Sequence, residues 1–415
     1  MPQALADRLR ARGATLPEYN GRGLLNVPAT VLAHFGARDE TDPPPLADLD
    51  PALLEGVRRI IVVLADGLGT WQLEKLCATG ATPFFAKLVE RAQRRDAAQL
   101  LDCTTVFPST TAAAITTLHT ARTPQEHGNI AYFCWLDEFE QVTAMLRWGP
   151  AITRRGSYFD DGRLDPRAYV KVGSIHGRLR DRGVSTYVIE PEIFRNEPMT
   201  RMHARDATYV GYQIPSTMSV RLRQLVLTGE APTYIYAYWA GIDTSSHLYG
   251  PMSEEAAAEA ALLDLCLSRA LGDCTAGDTL VILTADHGHA FTDPDKIVNL
   301  LDEADLRSLL RNPIAGEPRL AFLHTDDPGA VRAYLQQRWP GEFVLLDRDE
   351  LLAAGFFGNG DTALAKRRIG EVVAMLDGDH AARIMRVDGQ DFRHRGSHGG
   401  MTPDEMRIPV LAWRA

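Results

Sequence analysis

The clearest pattern in the chain is a run with no polar alternation, Arg59-Ile60-Ile61-Val62-Val63-Leu64. A run apolar at nearly every position predicts a strand buried on both faces, as in a parallel sheet. It ends in Ala65-Asp66-Gly67-Leu68-Gly69, and helical spacing follows over 71–77 and 83–92. The pattern recurs at 185–189 (STYVI), at 233–238 (TYIYAY, leading to Asp243) and at 279–283 (TLVIL, leading to Asp286 and His287). A last strand is expected over 407–413 and a helix over 254–271. Strands alternating with helices predict an α/β fold, a mostly parallel or mixed sheet with helices on both faces. Polar residues gather just past the carboxyl ends of these strands, where open α/β sheets place their ligands.

Two stretches break the alternation. Residues 39–51 (DETDPPPLADLDP) are rich in Pro and Asp and read as an exposed linker following a short N-terminal arm. Residues 291–393 separate two of the polar loops. Within them 319–323, 328–339 and 343–346 read as strand, helix and strand, so an inserted cap or lid is expected. The expected organisation is an arm and linker over 1–52, a catalytic core over 53–290 plus 394–415, and a cap over 291–393.

Composition narrows the function classes. At 415 residues the chain is too long for one small domain. Lys plus Arg is 44 against 54 for Asp plus Glu, a formal net charge of −10, which argues against a nucleic-acid polymer as partner. A nucleotide substrate stays open, because a bound metal supplies local positive charge that composition hides. The five cysteines (Cys77, Cys103, Cys134, Cys266, Cys274) are scattered and form no CxxC, which speaks against a disulfide framework or a thiolate zinc site. The N-terminus is charged and lacks an apolar signal core, and no membrane-length apolar run occurs, so a cytoplasmic protein without a membrane partner is expected.

The polar loops carry the chemistry. Asp66 follows the first strand, Asp243 and His247 form D-T-S-S-H, Asp286 and His287 form T-A-D-H-G, and His398 lies in G-S-H-G-G. Three Asp and three His offer a mixed oxygen and nitrogen ligand set that suits zinc and similar divalent ions. Six ligands match two metals with three each, and two metals about 4 Å apart can hold the attacking and leaving oxygens of a displacement at phosphorus. A hydroxyl nucleophile is offered by F-P-S-T-T-A-A-A-I-T, from Phe107 to Thr116, at the start of a helix whose N-terminus favours an anionic phosphoryl group.

Taken in order, these motifs resemble the alkaline phosphatase superfamily, and most closely its type I phosphodiesterase/nucleotide pyrophosphatase branch. D-T-S-S-H-L-Y-G-P, T-A-D-H-G, G-S-H-G-G-M and the turn R-T-P-Q-E-H-G carry the resemblance. It implies an alkaline phosphatase-like three-layer sandwich with a central, mostly parallel sheet and an inserted cap. It implies two divalent metals, zinc first and manganese or iron as alternatives. Asp243, His247 and His398 would hold one, and Asp66, Asp286 and His287 the other. Counting back ten residues from Ala121 puts the metal-activated nucleophile at Thr111, with Thr110 second. The implied reaction is hydrolysis of a phosphate ester or anhydride of a small phosphorylated substrate, with a nucleotide among the candidates, through a phosphothreonine. Ala114 stands where that branch carries an Asn, so phosphoryl oxygens fall to the backbone N–H groups of Thr111 and Ala112, to another side chain or to the metals.

Alternatives within the superfamily are a phosphomonoesterase, a phosphonate hydrolase and a phosphomutase; from another class, a non-catalytic metal-binding protein. No C/S-x-P-x-R string accompanies Thr111, which speaks against a sulfatase. His119 and His127 read as structural, and His289 and His394 as neighbours of the site. Tyr132, Phe133, Trp135 and Trp148 read first as core and second as a platform for a substrate base or ring, and Arg147 and Arg154 read first as solvated surface cations and second as partners of a substrate anion. Specificity is expected in 128–178 and 291–393. Oligomeric state is open.

Overall fold

The computed structural model describes residues 2–415 except 161, 164, 166–168, 171, 273–276 and 392. Its central sheet has seven strands in the order Ala98–Thr104, Arg407–Arg414, Thr279–Thr284, Arg59–Ala65, Thr233–Trp239, Ser185–Pro191 and Thr208–Tyr212. Arg407–Arg414 runs antiparallel to both neighbours, and the other pairings are parallel. The expected α/β class is therefore what the chain adopts, with all five expected strands in the sheet. Arg59–Ala65 lies at its centre and is buried from Ile60 onward, as its uninterrupted apolar run requires. The helices Thr70–Ala78, Pro83–Gln93 and Glu254–Leu271 form at the expected places.

Two edge strands escaped the sequence pattern. Ala98–Thr104 is only half-buried and carries Asp102, which pairs with Arg407 across the sheet. In Thr208–Tyr212, Gly211 stands where an added Cβ would come 1.5 Å from the Glu192 carboxylate. Edge strands keep a polar, interrupted character that no apolar run announces.

A second sheet lies apart, on its own hydrophobic core. Its order is Phe343–Asp347, Val372–Leu376, Leu320–Leu323, Ala315–Glu317, Phe133–Leu136, Gln141–Ala144 and Gly149–Pro150, and all of its pairings are antiparallel. Four strands come from the 291–393 stretch. The other three come from the segment that follows the Thr111–Thr120 helix. The two stretches join where Gly316 pairs with Phe133.

The expected exposed linker is a correction. Asp42 is buried, with Oδ1 accepting from Arg122 at 2.5 Å and from Arg178 at 2.8 Å. Leu46 and Leu49 join the core of the central sheet. The segment is tied to the Asn26–His34 helix, whose Asn26 Nδ2 donates to the Pro44 carbonyl at 2.8 Å and whose Thr30 Oγ1 accepts the Leu46 N–H at 2.9 Å, so Asp42, Leu46 and Leu49 turn inward while most of its other residues stay at least partly exposed.

Candidate active site

Each loop reaches the site because its strand ends there. Asp66 follows Arg59–Ala65, and its N–H still donates to the Trp239 carbonyl at 2.9 Å. Gly67 sits at φ +74°, and a Cβ there would come 2.8 Å from His289 Nε2 and 3.0 Å from the Asp243 backbone, so only glycine lets the loops close. Asp243 lies in the first turn of the helix Gly241–Tyr249 and His247 in its last. The four-residue spacing puts both on one face, with His247 Nε2 3.3 Å from Asp243 Oδ1. Asp286 and His287 follow Thr279–Thr284. His398 follows Gly396–Ser397, a two-residue strand paired antiparallel with Ala290–Phe291.

These residues converge into two sets, Asp66, Asp286 and His287, and Asp243, His247 and His398, each with its ligand atoms within 4.8 Å of one another. A third combination, Asp243 with His287 and His289, meets the same distance. His289 is thus closer to the chemistry than its sequence reading as a neighbour; its Nε2 lies 2.9 Å from Asp243 Oδ1. The D-H-G-H string was the signal available for it.

The hydrogen bonding fits cations. Nδ1 of His247 donates to the Gly396 carbonyl at 2.8 Å, Nδ1 of His398 to the Ser109 carbonyl at 2.8 Å, and Nδ1 of His287 to the Gly288 carbonyl at 3.1 Å. Each bond fixes the tautomer that leaves Nε2 as a lone-pair donor facing the centre. Asp286 Oδ1 accepts the N–H groups of Gly67 at 3.0 Å and His287 at 3.1 Å, while its Oδ2 is buried without a partner. The Tyr238 hydroxyl donates to Asp66 Oδ2, and Asp66 Oδ1 is likewise buried and unpartnered. Two orphaned carboxylate oxygens beside one imidazole nitrogen are costly unless a cation joins them.

The protonation directions agree. Burial, then the charges of Asp286 and Asp243, push Asp66 well above the usual carboxylate range. A divalent ion would reverse that. Burial, then His287 and His247, hold His398 well below the usual imidazole range, so it is neutral as a ligand must be. Burial would raise Asp243, but His247 and His289 outweigh it and hold that carboxyl well below its usual range.

Thr111 begins the helix Thr111–Thr120, and its Oγ1 lies 3.0 Å from His287 Nε2. Thr110 is the residue before the helix, and its side chain caps no N–H there. It turns instead to the Glu317 carboxyl. The N–H groups of the first turn have no partner within the helix and point where an anion would sit. Ala114, buried in the core, offers nothing to such an anion.

Two cavities meet at Thr111. One, of about 220 Å³, is bounded by Asp243, His247, His394, His398 and Glu317. The other, of about 340 Å³, is bounded by Arg147, Glu190, Phe194, Glu197, His203 and Tyr238. Thr111, Tyr132 and Leu146 line both. Arg147 and Tyr132, read first from the sequence as surface and core, therefore line cavities beside Thr111. Glu317 and Glu190 were missed altogether. Burial pushes each up to about 7, against hydrogen bonds from Thr110 and Tyr132 to Glu317 and from Thr200 to Glu190. His119 lies in the last turn of the Thr111–Thr120 helix, buried and 2.9 Å from His176, consistent with packing.

Known proteins place the arrangement. A family model described as type I phosphodiesterase / nucleotide pyrophosphatase matches residues 60–401. Murine ectonucleotide pyrophosphatase/phosphodiesterase 5 superposes with a TM-score of 0.61 at 15% identity, over 85% of this chain and 87% of that one. An inactive variant of the murine protein, solved in complex with AMP, superposes with a TM-score of 0.61 at 15% identity, over 85% and 87% of the two chains. Phosphonoacetate hydrolase from Sinorhizobium meliloti 1021, in complex with phosphonoacetate, superposes with a TM-score of 0.60 at 15% identity, over 86% and 90%. No curated protein matches in sequence. Among the described residues, no helix is long and apolar enough to cross a membrane. With the family model covering the chain from its central strand to the last histidine loop, this chain belongs to the type I phosphodiesterase/nucleotide pyrophosphatase family, whose members are metal-dependent hydrolases acting on phosphoesters.

Proposed function

We propose that this member hydrolyses a phosphodiester or phosphoanhydride of a small molecule in two displacements, with Thr111 as nucleophile. The observation that carries the reading is the pair of three-residue ligand sets flanking a buried threonine hydroxyl at a helix N-terminus. Asp66, Asp286 and His287 would hold one divalent ion, and Asp243, His247 and His398 a second; zinc suits the mixed oxygen and nitrogen set. When bound, the ions supply positive charge that ionises Thr111 and neutralises the phosphoryl oxygens and the leaving oxygen. Thr111 Oγ forms a bond to phosphorus as the bond to the leaving oxygen breaks. The first-turn N–H groups orient the phosphoryl group. Water then attacks the phosphorylated Thr111, and the second displacement restores the configuration at phosphorus.

Cavities on both sides of Thr111 support a substrate with two arms, which favours a diester or anhydride over a monoester. AMP and phosphonoacetate, bound by the two similar proteins, are a small phosphate ester and a small phosphonate, which supports a small phosphorus-containing substrate here. In this reading 53–290 with 394–415 supply the catalytic core and 291–393 the cap, which is completed by the strands of 133–150, while 1–52 is an arm packed on both hydrophobic cores. The four described cysteines are unpaired, which is compatible with a cytoplasmic location.

The test is metal analysis of the purified protein beside hydrolysis of bis-p-nitrophenyl phosphate and p-nitrophenyl phosphate, with and without chelator. The expected result is two metals per chain and chelator-sensitive turnover of the diester. Turnover of the monoester alone would replace the reading with a phosphatase. No bound metal after reconstitution would overturn it.

A further inference from the structure

Thr111 begins a helix whose next three side chains, Ala112, Ala113 and Ala114, are methyl groups buried completely. The helix therefore offers a phosphoryl group its backbone N–H groups and no second side chain. A side chain that adds to those contacts would come from elsewhere, and the place open to it is where the two cavities meet beside Thr111. Besides Thr111, the residues lining both are Tyr132 and Leu146. Leu146 has no polar side-chain atom, so among the described residues the Tyr132 phenol is the side-chain donor, besides the Thr111 hydroxyl, that lines both cavities.

The Tyr132 main chain is tightly held. Its N–H donates to Glu317 Oε1 at 2.6 Å, and its ring meets Phe133 edge-on with centroids 4.6 Å apart. Arg147 stands beside the phenol. Burial raises Tyr132, and the Arg147 charge opposes that rise. The guanidinium is itself anchored, with Nη2 donating to the Thr153 carbonyl at 2.7 Å and the Pro150 carbonyl at 3.4 Å, while Nη1 is buried without a hydrogen-bond partner. A cation fixed next to a phenol makes the O–H a stronger donor to an anion.

We infer that the Tyr132 hydroxyl is the side-chain donor to the phosphoryl oxygens beside Thr111, and that Arg147 is a positioning residue that holds and polarises it. This rests on the two-displacement reading above. As the bond from Thr111 Oγ to phosphorus forms and the bond to the leaving oxygen breaks, charge grows on the phosphoryl oxygens. The Tyr132 O–H donates to that charge and keeps its proton throughout. A donor aimed at developing charge acts mainly on kcat.

The test uses the full, metal-loaded chain and two readouts. Calorimetric titration with inorganic phosphate reports binding without turnover, and bis-p-nitrophenyl phosphate hydrolysis reports catalysis. In Tyr132→Phe, phosphate affinity is expected to fall about 10- to 100-fold. Its kcat is expected to fall about 100-fold with KM little changed. Metal content and Tm should match the wild type. Arg147→Gln alone should weaken both readouts less, Arg147→Lys should restore most of the loss, and Arg147→Gln in the Tyr132→Phe background should add nothing. Wild-type phosphate affinity in Tyr132→Phe would overturn the inference, as would failure of the loaded wild type to bind phosphate. Multiplying losses in the double variant would overturn the role of Arg147. A wild type that binds phosphate but hydrolyses no p-nitrophenyl ester would sink the hydrolytic reading instead, and the titration would still decide Tyr132.

Discussion

The two seven-stranded sheets follow different rules. The central sheet is mostly parallel, its inner strands are apolar on both faces, and it delivers Asp66, Asp243, Asp286 and His287 from carboxyl ends that lie together. The second sheet is antiparallel, is assembled from two stretches far apart in the chain, and borders the substrate space with Tyr132 and Glu317. Each rests on its own hydrophobic core. The difference teaches a division of labour. The candidate metal ligands Asp66, Asp286 and His287 sit where a buried parallel sheet forces strand ends to meet, and Tyr132 and Glu317 reach the same cavity from the antiparallel sheet.

The largest effects should come from the central sheet. Thr111→Ala should lower kcat by at least about 10³-fold while retaining its metals, read by steady-state kinetics beside metal analysis. Full activity in both Thr111→Ala and Thr110→Ala would remove the covalent route. Asp286→Asn should lose roughly half of the bound metal and about 10²-fold or more in activity, because one of the two sets drops to two strong ligands. Retention of both metals would separate Asp286 from the site.

The next effect crosses between the sheets. Arg319 follows the second sheet's Ala315–Glu317, and its Nε donates to Glu405 Oε1 at 2.8 Å, with both side chains fully buried. The same carboxylate oxygen accepts the Gly400 N–H at 2.8 Å, two residues beyond His398. Arg319→Ala leaves Glu405 buried and unpaired, and should destabilise the fold by about 3–5 kcal/mol in denaturant unfolding. A loss below about 1 kcal/mol would mean that the sheets are not coupled through this pair.

A pH effect separates the walls of the larger cavity. Glu190 has its folded pKa raised to about 7 by burial. Between its ordinary value and 7 the folded state holds a proton that the unfolded state has released. Its contribution therefore favours folding at low pH and is lost as pH rises through that window. From pH 5 to pH 8 the loss should be about 2.5 kcal/mol. Glu190→Gln should flatten this dependence in thermal melts, and an unchanged slope would show that Glu190 titrates normally.

The smallest effect belongs to the seam between the two stretches of the second sheet. Arg367 Nε donates to Asp137 Oδ2 at 2.8 Å, with both side chains about half exposed. Arg367→Ala should cost no more than about 1 kcal/mol in chemical unfolding. A larger loss would mark this seam as structural.

How much was readable from sequence follows the same division. Asp66 and Asp286 were legible because each ends an apolar run long enough to identify a buried strand, and Asp243 because its spacing to His247 matches one helix turn. The count back from Ala121 favours Thr111 over Thr110, whereas their different partners, His287 for Thr111 and Glu317 for Thr110, follow from where the helix starts, one residue of phase that the sequence does not mark. The edge strands Ala98–Thr104 and Thr208–Tyr212 were hidden by polar and glycine residues that an edge tolerates. Asp42 read as solvated because its partners Arg122 and Arg178 lie 80 and 136 residues away. Glu317 and Tyr132 are 185 residues apart, and no local pattern announces a contact made only when two distant stretches share a sheet.

The most direct test of the central claim is peptide mass spectrometry of the zinc-loaded enzyme, acid-quenched during turnover of bis-p-nitrophenyl phosphate. The expected result is a p-nitrophenylphosphoryl group on Thr111, absent from Thr111→Ala and from chelator-treated enzyme. Rapid turnover with no adduct on any residue, accompanied by inversion at a chiral phosphorus substrate, would contradict it and assign the attack to water.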